Sequence, residues 1–247
     1  MPIKSVVFDA YGTLYDVQSV TSVIDDTYPE YSDVITQVWR IKQLEYSWLR
    51  SQMGRYADFW TVTRDSLQFT LQQLGLQSNQ DLFDRLMEKY LNLDPYADAR
   101  AALEAMGGAK LAILSNGSPA MLDDLVRNSG FDTILDAVIS IDAKKVFKPD
   151  PKTYTLIEAQ LGVTPDEVLF VSSNGFDAVG AKSFGLKVAW IERATPDMVA
   201  KEVAGSEVVA PGTMYKILRM GMETMGYEPD YRIRALSDLP AIVNKAA

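Results

Sequence analysis

The segment VVFDAYGTLYD, residues 6–16, places an aspartate at the point where an apolar run changes into a turn. Asp9 ends the run and precedes Gly12 and Thr13, so its carboxylate would be held on a tight turn at the end of a strand. Gly12 would allow close approach of the backbone there. A carboxylate in this position either is a reacting group or caps the turn or the next helix. For the short sequence FDA alone, capping is the more common role.

Two further segments place polar groups at the ends of predicted strands. In ILSNGSP, Ser115 and Asn116 leave a strand and Pro119 can begin the next helix. The hydroxyl, amide and backbone N–H groups could hold an anion, although capping of the helix explains them equally well. The sequence VSSNGFD, residues 171–177, also ends an apolar run in polar residues, and its one acid is Asp177.

The segment KKVFKPDPKTYT contains a lysine next to the start of a helix. Pro149 biases Lys148 away from helical geometry, and Asp150 and Pro151 are typical of the N-cap and first residue of a new helix. Lys148 would therefore be held at the end of a loop. A solvated surface charge is the ordinary alternative for a lysine.

The composition limits which other groups could take part in a reaction. The chain has no Cys and no His, which excludes thiolate catalysis, a Ser-His pair, and thiolate or imidazole ligands to a metal. Carboxylates, Lys, Arg, Ser, Thr, Tyr or Asn must carry any chemistry. With 24 basic and 33 acidic residues the net charge is -9, which disfavours nucleic acid and anionic membranes as partners. An anionic substrate would need a local cationic pocket.

Short apolar runs alternate with helical segments and predict the sheet that positions these groups. The runs cover residues 5–9, 110–116, 137–141, 167–174 and 187–191. Continuous apolar strands separated by helix-length spacers are typical of a parallel sheet covered on both faces. The predicted fold class is therefore α/β, with a doubly wound, Rossmann-like core. Ligands of such sheets bind beyond the carboxyl ends of the strands, where three of the runs end in polar residues.

The stretch between the first two runs breaks this alternation. Its pattern is helical, with Leu67, Leu71 and Leu74 at helical spacing and Gly75 as a plausible stop. We interpret residues 16–96 as a helical cap domain inserted into a core formed by residues 1–15 and 97–247. Such a cap could exclude water from the crevice and contribute pocket residues. The last residues, RALSDLPAIVNKAA, predict one more short strand or loop and a final helix.

Targeting signals and membrane spans are absent from the sequence pattern. The N-terminus, MPIKSVVFDAYG, has no long apolar region with a cleavage site, and no run approaches the ~18 apolar residues of a membrane span. The hydrophobic content of 47% is ordinary for a globular protein. We therefore expect a folded cytoplasmic protein that does not act at a membrane.

The motifs together resemble the L-2-haloacid dehalogenases of the haloacid dehalogenase superfamily. They are FDAYGTLYDVQSV, WRIKQLEYSWLRSQMGRYADFW, ILSNGSP, FKPDPKTY and VSSNGFD, and they extend over the core and the cap. The resemblance implies hydrolytic dehalogenation of L-2-haloalkanoic acids to D-2-hydroxyalkanoic acids and halide, through a covalent ester on Asp9. It also implies a small anionic 2-haloacid as substrate, no cofactor or metal, and a homodimer.

The resemblance assigns roles to residues that their own patterns do not reveal. It implies a catalytic group formed by Asp9, Thr13, Arg40, Lys148, Tyr154, Ser172, Asn174 and Asp177. It implies substrate contacts from Tyr11, Leu44, Phe59 and Ser115. It implies a halide cradle of Arg40, Asn116 and Phe176. By periodicity alone, Arg40 would be a surface arginine on an amphipathic helix, and Phe176, Leu44 and Phe59 would be core residues.

Two departures from the phosphatases of the superfamily bear on the leaving group. Those enzymes carry an aspartate two residues after the nucleophile that protonates the leaving alkoxide, a contribution of ~10²–10⁴-fold in rate. Tyr11 stands there in this chain. The phosphatases also bind magnesium through acids at the fourth motif, where this chain has Ser172, Ser173 and Asn174, so carboxylate ligands for the ion are largely missing. Halide leaves without a proton, and the ring of Tyr11 can line an apolar pocket.

Two other functions remain open at this point. One is a magnesium-dependent phosphatase of small organic phosphates, and the other is a catalytically silent relative that acts as a binding protein. The residue that activates the hydrolytic water is also open, because Asp177 could act with Asn174 and Lys148 or could only orient Lys148. The sequence does not set the chain length or the halogen of the substrate.

Overall fold

The computed structural model of the chain describes the backbone of residues 2–246 and side chains through residue 244. Six strands form one sheet. They are β1 (Ser5–Phe8), β2 (Lys110–Ser115), β3 (Ala137–Ser140), β4 (Val168–Ser172), β5 (Lys187–Ile191) and β6 (Tyr231–Ile233). The first five match the predicted runs to within two residues at each end.

The strand order is β3-β2-β1-β4-β5-β6, and every neighbouring pair is parallel. The order reverses at β1, which pairs with β2 on one side and β4 on the other. Phe8 lies level with Ile113 and Val171. The polar residues that follow these three strands therefore meet at one edge, at the switch point of a doubly wound sheet. The predicted α/β fold class is confirmed.

The central strand β1 is fixed by burial on both faces. Val6, Val7 and Phe8 are all 0% exposed, as expected for a continuous apolar strand with helices on either side. Each fully buried side chain of this size stabilises the fold by about 1.5–3 kcal/mol. The turn that carries Asp9 thus follows directly on a strand that is buried on both faces.

Helices connect the strands and form the long segment between β1 and β2. They are α1 (Thr21–Asp25), α2 (Ser32–Gln52), α3 (Phe59–Gln73), α4 (Gln80–Tyr90), α5 (Ala99–Ala105), α6 (Pro119–Ser129), α7 (Pro151–Leu161), α8 (Gly175–Phe184), α9 (Pro196–Ala204), α10 (Pro211–Arg219) and α11 (Leu239–Ala246). The helices α1 to α4 follow one another without an intervening strand. This arrangement agrees with a helical insertion, and the boundaries predicted for the cap, residues 16–96, stay a prediction.

The chain enters and leaves this helical segment at one place. The backbone N–H of Asp16 donates to the carbonyl oxygen of Asp94 at 2.8 Å, and that of Tyr96 donates to Leu14 at 2.9 Å. The two crossings therefore lie side by side.

Proline and capping side chains begin the helices that follow β2 and β3. Pro119 is the first residue of α6, and the hydroxyl oxygen of Ser118 accepts from the N–H of Met121. Asp150 caps α7, which begins at Pro151. Both helix starts agree with the sequence prediction, because they depend on local residue chemistry.

The C-terminal quarter of the chain differs from the sequence prediction. The final helix α11 is present, but the last strand, β6, lies just before the segment in which a strand or loop was expected. The helices α9 and α10 were not predicted. No side chain of α9 is buried, and α10 buries Thr213 and Tyr215. Several of their apolar side chains are exposed, among them Met198 on α9 and Ile217 and Leu218 on α10, so an apolar pattern here did not mark a helix with a buried face.

The described helices include none that is both long enough and apolar enough to cross a membrane.

A glycine in α8 provides a test of how this helix packs against the segment that carries Lys148. A Cβ atom on Gly180 would lie 2.5 Å from Cβ of Pro149 and 2.6 Å from the hydroxyl of Tyr154. We expect Gly180→Ala to lower the free energy of unfolding by about 1–3 kcal/mol, because overpacking outweighs the better helix propensity of alanine. Urea unfolding measures this change.

Gly107→Ala is the matched control, because a Cβ atom there would meet nothing within 4 Å. It should leave the urea midpoint unchanged or slightly raised. Equal stability of the two variants would contradict the close packing of α8.

Candidate active site

The carboxylate of Asp9 lies just beyond β1 and is held by three donors from separate parts of the chain. Its Oδ1 accepts from Nζ of Lys148 at 3.2 Å. Its Oδ2 accepts from Nδ2 of Asn174 at 2.7 Å and from the hydroxyl of Thr13 at 3.2 Å. The side chain is buried. Hydrogen bonds of this kind fix the direction of both oxygens.

Lys148 is a buried cation rather than a solvated surface charge, which was the ordinary alternative for a lysine in this segment. Its residue surface is 1% exposed. Nζ donates to the carbonyl oxygen of Leu114 at 2.6 Å, to Oδ2 of Asp177 at 2.9 Å and to Oδ1 of Asp9 at 3.2 Å. These three acceptors use all the donors of an ammonium group. One cation thus lies between two carboxylates.

Asp177 lies in the first turn of α8, where the helix dipole favours a negative charge. Oδ1 accepts from the hydroxyl of Tyr154 at 2.7 Å, and Oδ2 accepts from the hydroxyl of Ser172 at 3.2 Å in addition to Lys148. Burial raises the pKa of Asp177 to about 6, with the charge of Asp9 acting in the same direction and Lys148 in the opposite one. The carboxyl would therefore titrate in a range where most aspartates are ionised.

The hydroxyl of Tyr154 keeps its proton. Burial, followed by the nearby carboxylate of Asp177, raises the pKa of Tyr154 well above its usual value. Tyr154 is therefore a fixed donor to Asp177.

Ser173 belongs to this network although the sequence prediction did not include it. Its backbone N–H donates to the hydroxyl oxygen of Thr13 at 3.0 Å, and its own hydroxyl donates to the carbonyl oxygen of Gly12 at 2.6 Å. Thr13 is thus turned so that its proton points at Asp9. Gly12 adopts a φ of +91°, a conformation that residues with side chains rarely adopt, which explains the glycine in this turn. The run of two serines before Asn174 was the available signal.

The loop after β2 supports the backbone of the lysine. Oδ1 of Asn116 accepts from the backbone N–H of Lys148 at 3.0 Å. The hydroxyl of Ser115 accepts from the N–H of Gly117 at 3.2 Å. Ser115 is the last residue of β2 rather than the first of the loop. Both side chains are buried.

Arg40 on α2 is buried rather than on the surface, which corrects the expectation from periodicity. It is 6% exposed, and Nη1 donates to Oε1 of Gln43 at 2.6 Å. Burial opposes its charge, but Tyr90, Tyr215 and Asp9 more than offset this and raise the pKa of Arg40. Among the side chains of residues 2–244, no carboxylate lies within ion-pair distance of its guanidinium. Arg40 therefore carries a buried charge with neutral hydrogen-bond partners.

The ring of Tyr11 forms an apolar wall between the core and the helical segment. Its centroid lies 5.4 Å from the ring of Phe59 and 5.4 Å from that of Tyr90. The hydroxyl has no hydrogen-bond partner among the described residues. Burial raises the pKa of Tyr11 well above its usual value, so the side chain is neutral. The hydroxyl of Tyr11 is therefore too weak an acid to take over the role of the aspartate that the phosphatases carry at this position.

Two further predicted residues, Leu44 and Phe176, are apolar, and the structure gives their burial and packing. Leu44 is buried one helical turn after Arg40, on the same face of α2. Phe176 is half-buried and packs edge-on against Trp48, with 5.2 Å between ring centroids. The place of Phe176 in a halide cradle with Arg40 and Asn116 stays a prediction.

The residues at this site do not fit a magnesium ion. Within the described side chains, no group of three acidic residues stands where it could hold a metal. The space between the two carboxylates of Asp9 and Asp177 is taken by the ammonium group of Lys148. Magnesium binding in proteins usually needs carboxylate oxygens around the ion, and here those oxygens face a lysine.

Comparison with known proteins identifies the family. A family model described as haloacid dehalogenase-like hydrolase matches residues 3–185. The chain belongs to the haloacid dehalogenase-like hydrolases. The resemblance predicted from the motifs is confirmed.

Relatives with curated names and solved structures are similar to nearly the whole of this haloacid dehalogenase-like hydrolase. An (S)-2-haloacid dehalogenase of Xanthobacter autotrophicus is 54% identical over 245 residues, which cover 99% of this chain and 96% of the relative. The structure of an L-2-haloacid dehalogenase from that organism has a TM-score of 0.94 at 54% identity and covers 99% and 100% of the two chains. A second structure, 53% identical with the same TM-score and coverage, has chloropropionic acid covalently bound.

Removal of the buried ammonium group should destabilise this hydrolase. In Lys148→Met, the carboxylates of Asp9 and Asp177 would be left buried without a cation, and we expect a loss of about 3–5 kcal/mol at pH 7. The loss should shrink as the pH falls. A carboxyl whose pKa is raised by folding takes up a proton more readily in the folded state, so acidification stabilises that state.

Urea unfolding at pH 7 and pH 5 measures both effects. Lys4→Met is the control, because Lys4 forms an exposed ion pair with Glu167 and such pairs contribute about 1 kcal/mol or less. A Lys148→Met loss no larger than the control at pH 7 would contradict the buried triad.

Proposed function

We propose that the chain hydrolyses L-2-haloalkanoic acids to D-2-hydroxyalkanoic acids and halide through an ester on Asp9. The observation that carries the proposal is the Asp9 carboxylate itself, which is paired with Lys148 at 3.2 Å and has Tyr11 rather than an acid two residues further along the chain. A relative that is 53% identical holds chloropropionic acid covalently, which supports a carbon-bound intermediate in this chain as well.

In the first step Asp9 attacks C2 of the substrate. A carboxylate oxygen forms the new bond to carbon as the carbon–halogen bond breaks, and the halide leaves with the bonding electrons from the opposite side. The configuration at C2 is inverted. The two oxygens of Asp9 are held before the attack by Thr13, Asn174 and Lys148. This orientation lowers the entropic part of the activation barrier.

The departing halide needs a positive charge but no proton. Arg40 supplies this charge, because its buried guanidinium has neutral partners and no contacting carboxylate. Asn116 and Phe176 complete the proposed halide cradle. A tyrosine at position 11 therefore does not slow this step, whereas an alkoxide leaving group would need the acid that this position lacks.

The substrate carboxylate binds near Ser115, Lys148 and the backbone N–H groups around Tyr11 in this proposal. The free site holds two negative groups, Asp9 and Asp177, and two positive ones, Lys148 and Arg40. It is formally neutral, so an anion is not repelled. The rings of Tyr11 and Phe59, with Leu44, would contact the alkyl part.

In the second step water attacks the carbonyl carbon of the Asp9 ester. The bond between the ester oxygen and that carbonyl carbon breaks, and the product alkoxide takes up one of the two protons of the water. The second proton passes to solvent, so the ionised carboxylate of Asp9 is restored. Esterification removes the charge of Asp9, so Asp177 is then the remaining carboxylate on Lys148. We assign it the role of base, with Asn174 and Lys148 orienting the ester.

The proposal also includes independence from metal and a homodimer. The position of Lys148 between Asp9 and Asp177 supports the first, because a cation already balances these carboxylates. Exposed apolar side chains on α9 and α10, such as Met214, Ile217 and Leu218, support the second. They lie outside residues 16–96, the predicted cap. A cytoplasmic location stays a prediction.

Halide release from L-2-chloropropionate tests the function. The wild type should release chloride equally with and without chelator, and Asp9→Asn should release none, because an amide is a poor nucleophile. After a single turnover in heavy-oxygen water, the peptide containing Asp9 should carry the label. Phosphate-ester hydrolysis that chelator abolishes, without chloride release, would favour the phosphatase. Equal inactivity of wild type and Asp9→Asn towards both substrates would favour a silent relative.

The pH dependence of kcat tests the role of Asp177. Protonation of this carboxyl should stop ester hydrolysis, so kcat should be retained above its pKa and fall about ten-fold per pH unit below it. The pKa is about 6 in the free site. The midpoint for kcat should lie lower, because the ester lacks the Asp9 charge that helps to raise it.

Mass spectrometry of quenched reactions at pH 4.5 should show that the Asp9 ester accumulates, whereas at pH 8 it should not. A kcat that is flat down to pH 4.5, or acidic inactivation without accumulated ester, would rule out Asp177 as the base.

A further inference from the structure

A buried group of polar side chains joins α2, α3 and α4 around Gln43. Gln43 is 1% exposed and lies one turn after Arg40 on α2. Its Oε1 accepts from Nη1 of Arg40 at 2.6 Å and from the hydroxyl of Tyr90 at 2.8 Å. Its Nε2 donates to the hydroxyl of Thr63 at 2.6 Å. Both the oxygen and the nitrogen of the Gln43 amide are thus hydrogen-bonded to neighbouring side chains.

The direction of these hydrogen bonds is fixed by Thr63. Its hydroxyl donates to the carbonyl oxygen of Phe59 at 2.7 Å, so towards Gln43 it can only accept. The nitrogen of the amide must therefore face Thr63, and the oxygen must face Arg40 and Tyr90. Turning the amide over would bring two donors against each other in a buried site, which is costly.

The amide also leaves the charge of Arg40 intact. A carboxylate at position 43 would accept the same hydrogen bonds but would cancel the charge of the guanidinium. A neutral acceptor fixes the direction of the group and leaves its electrostatic attraction for an incoming or departing anion. Nε of Arg40 has no partner among the described residues, so the guanidinium retains donor capacity.

We propose that Gln43 is a positioning residue that orients Arg40 towards the halide while keeping its charge uncompensated. The inference rests on the proposed function and adds a residue to it that none of the motifs indicated. Gln43 acts only through Arg40 and has no contact with the reacting atoms.

Bromide binding to the intact protein tests this proposal separately from turnover. We expect Gln43→Met to raise the bromide dissociation constant about ten-fold, as for loss of a hydrogen bond to a charged group. Gln43→Glu should raise it about a hundred-fold or more, because it neutralises Arg40. With L-2-chloropropionate, kcat should fall in the same order, since the halide is the leaving group. Isothermal titration and steady-state kinetics measure the two effects.

Gln37→Met is the matched control. Gln37 is buried on the same helix and donates to Gln18 at 2.6 Å and Asp33 at 3.1 Å, away from Arg40. It should lose stability but keep the bromide affinity of the wild type. A Gln43→Glu variant with unchanged bromide affinity and kcat, or a control that weakens bromide equally, would overturn the proposal.

Two further observations keep the test decisive. If the Gln43 variants do not fold, Thr63→Val replaces them, because it frees the amide to turn without touching Arg40. It should weaken bromide binding, and an unchanged affinity would overturn the inference. A wild type that neither binds bromide nor releases chloride would instead refute the proposed function.

Discussion

The buried ammonium group of Lys148 is the contact on which the rest of the site depends. It reaches Asp9, Asp177 and the carbonyl of Leu114, so it joins the ends of β1 and β2 to the start of α8, the helix that follows β4. Two carboxylates this deeply buried would repel each other and resist ionisation without it. The remaining contacts, from Asn116 to the lysine backbone and from Tyr154 to Asp177, hold this arrangement in place.

The two cations of the site are compensated in different ways, and this difference matches two stages of a displacement at carbon. Lys148 is surrounded by anionic and carbonyl oxygens, which balance its charge and leave it in a fixed position beside the nucleophile. Arg40 is held by the neutral oxygen of Gln43, so its charge remains available. In the proposed mechanism, the first arrangement stabilises the carboxylate before attack, and the second stabilises an anion that appears only as the bond to carbon breaks.

Local chemistry explains which features could be predicted from the sequence. Apolar runs, the helix starts at Pro119 and Pro151, and the polar ends of three strands depend on neighbouring residues, and they led to the correct sheet. The parallel topology then placed Asp9 beside Asn174, although the two are far apart in the chain. The contacts of Ser173 and Gln43 depend on side chains brought together only by packing, so neither was foreseen. Arg40 shows the same limit, since a period of 3.6 residues could not distinguish a surface position from this buried one.

The side-by-side crossings at Asp16–Asp94 and Leu14–Tyr96 have a consequence for how such an enzyme can change. The Asp9 carboxylate is on the sheet side of these crossings, and Arg40 with Gln43 is on the helical side. Recombination between the same two junctions would therefore exchange Arg40 and Gln43 together. Asp9 and Lys148 would be inherited unaltered, so the surroundings of the buried guanidinium could diversify without loss of the contacts that hold the Asp9 carboxylate.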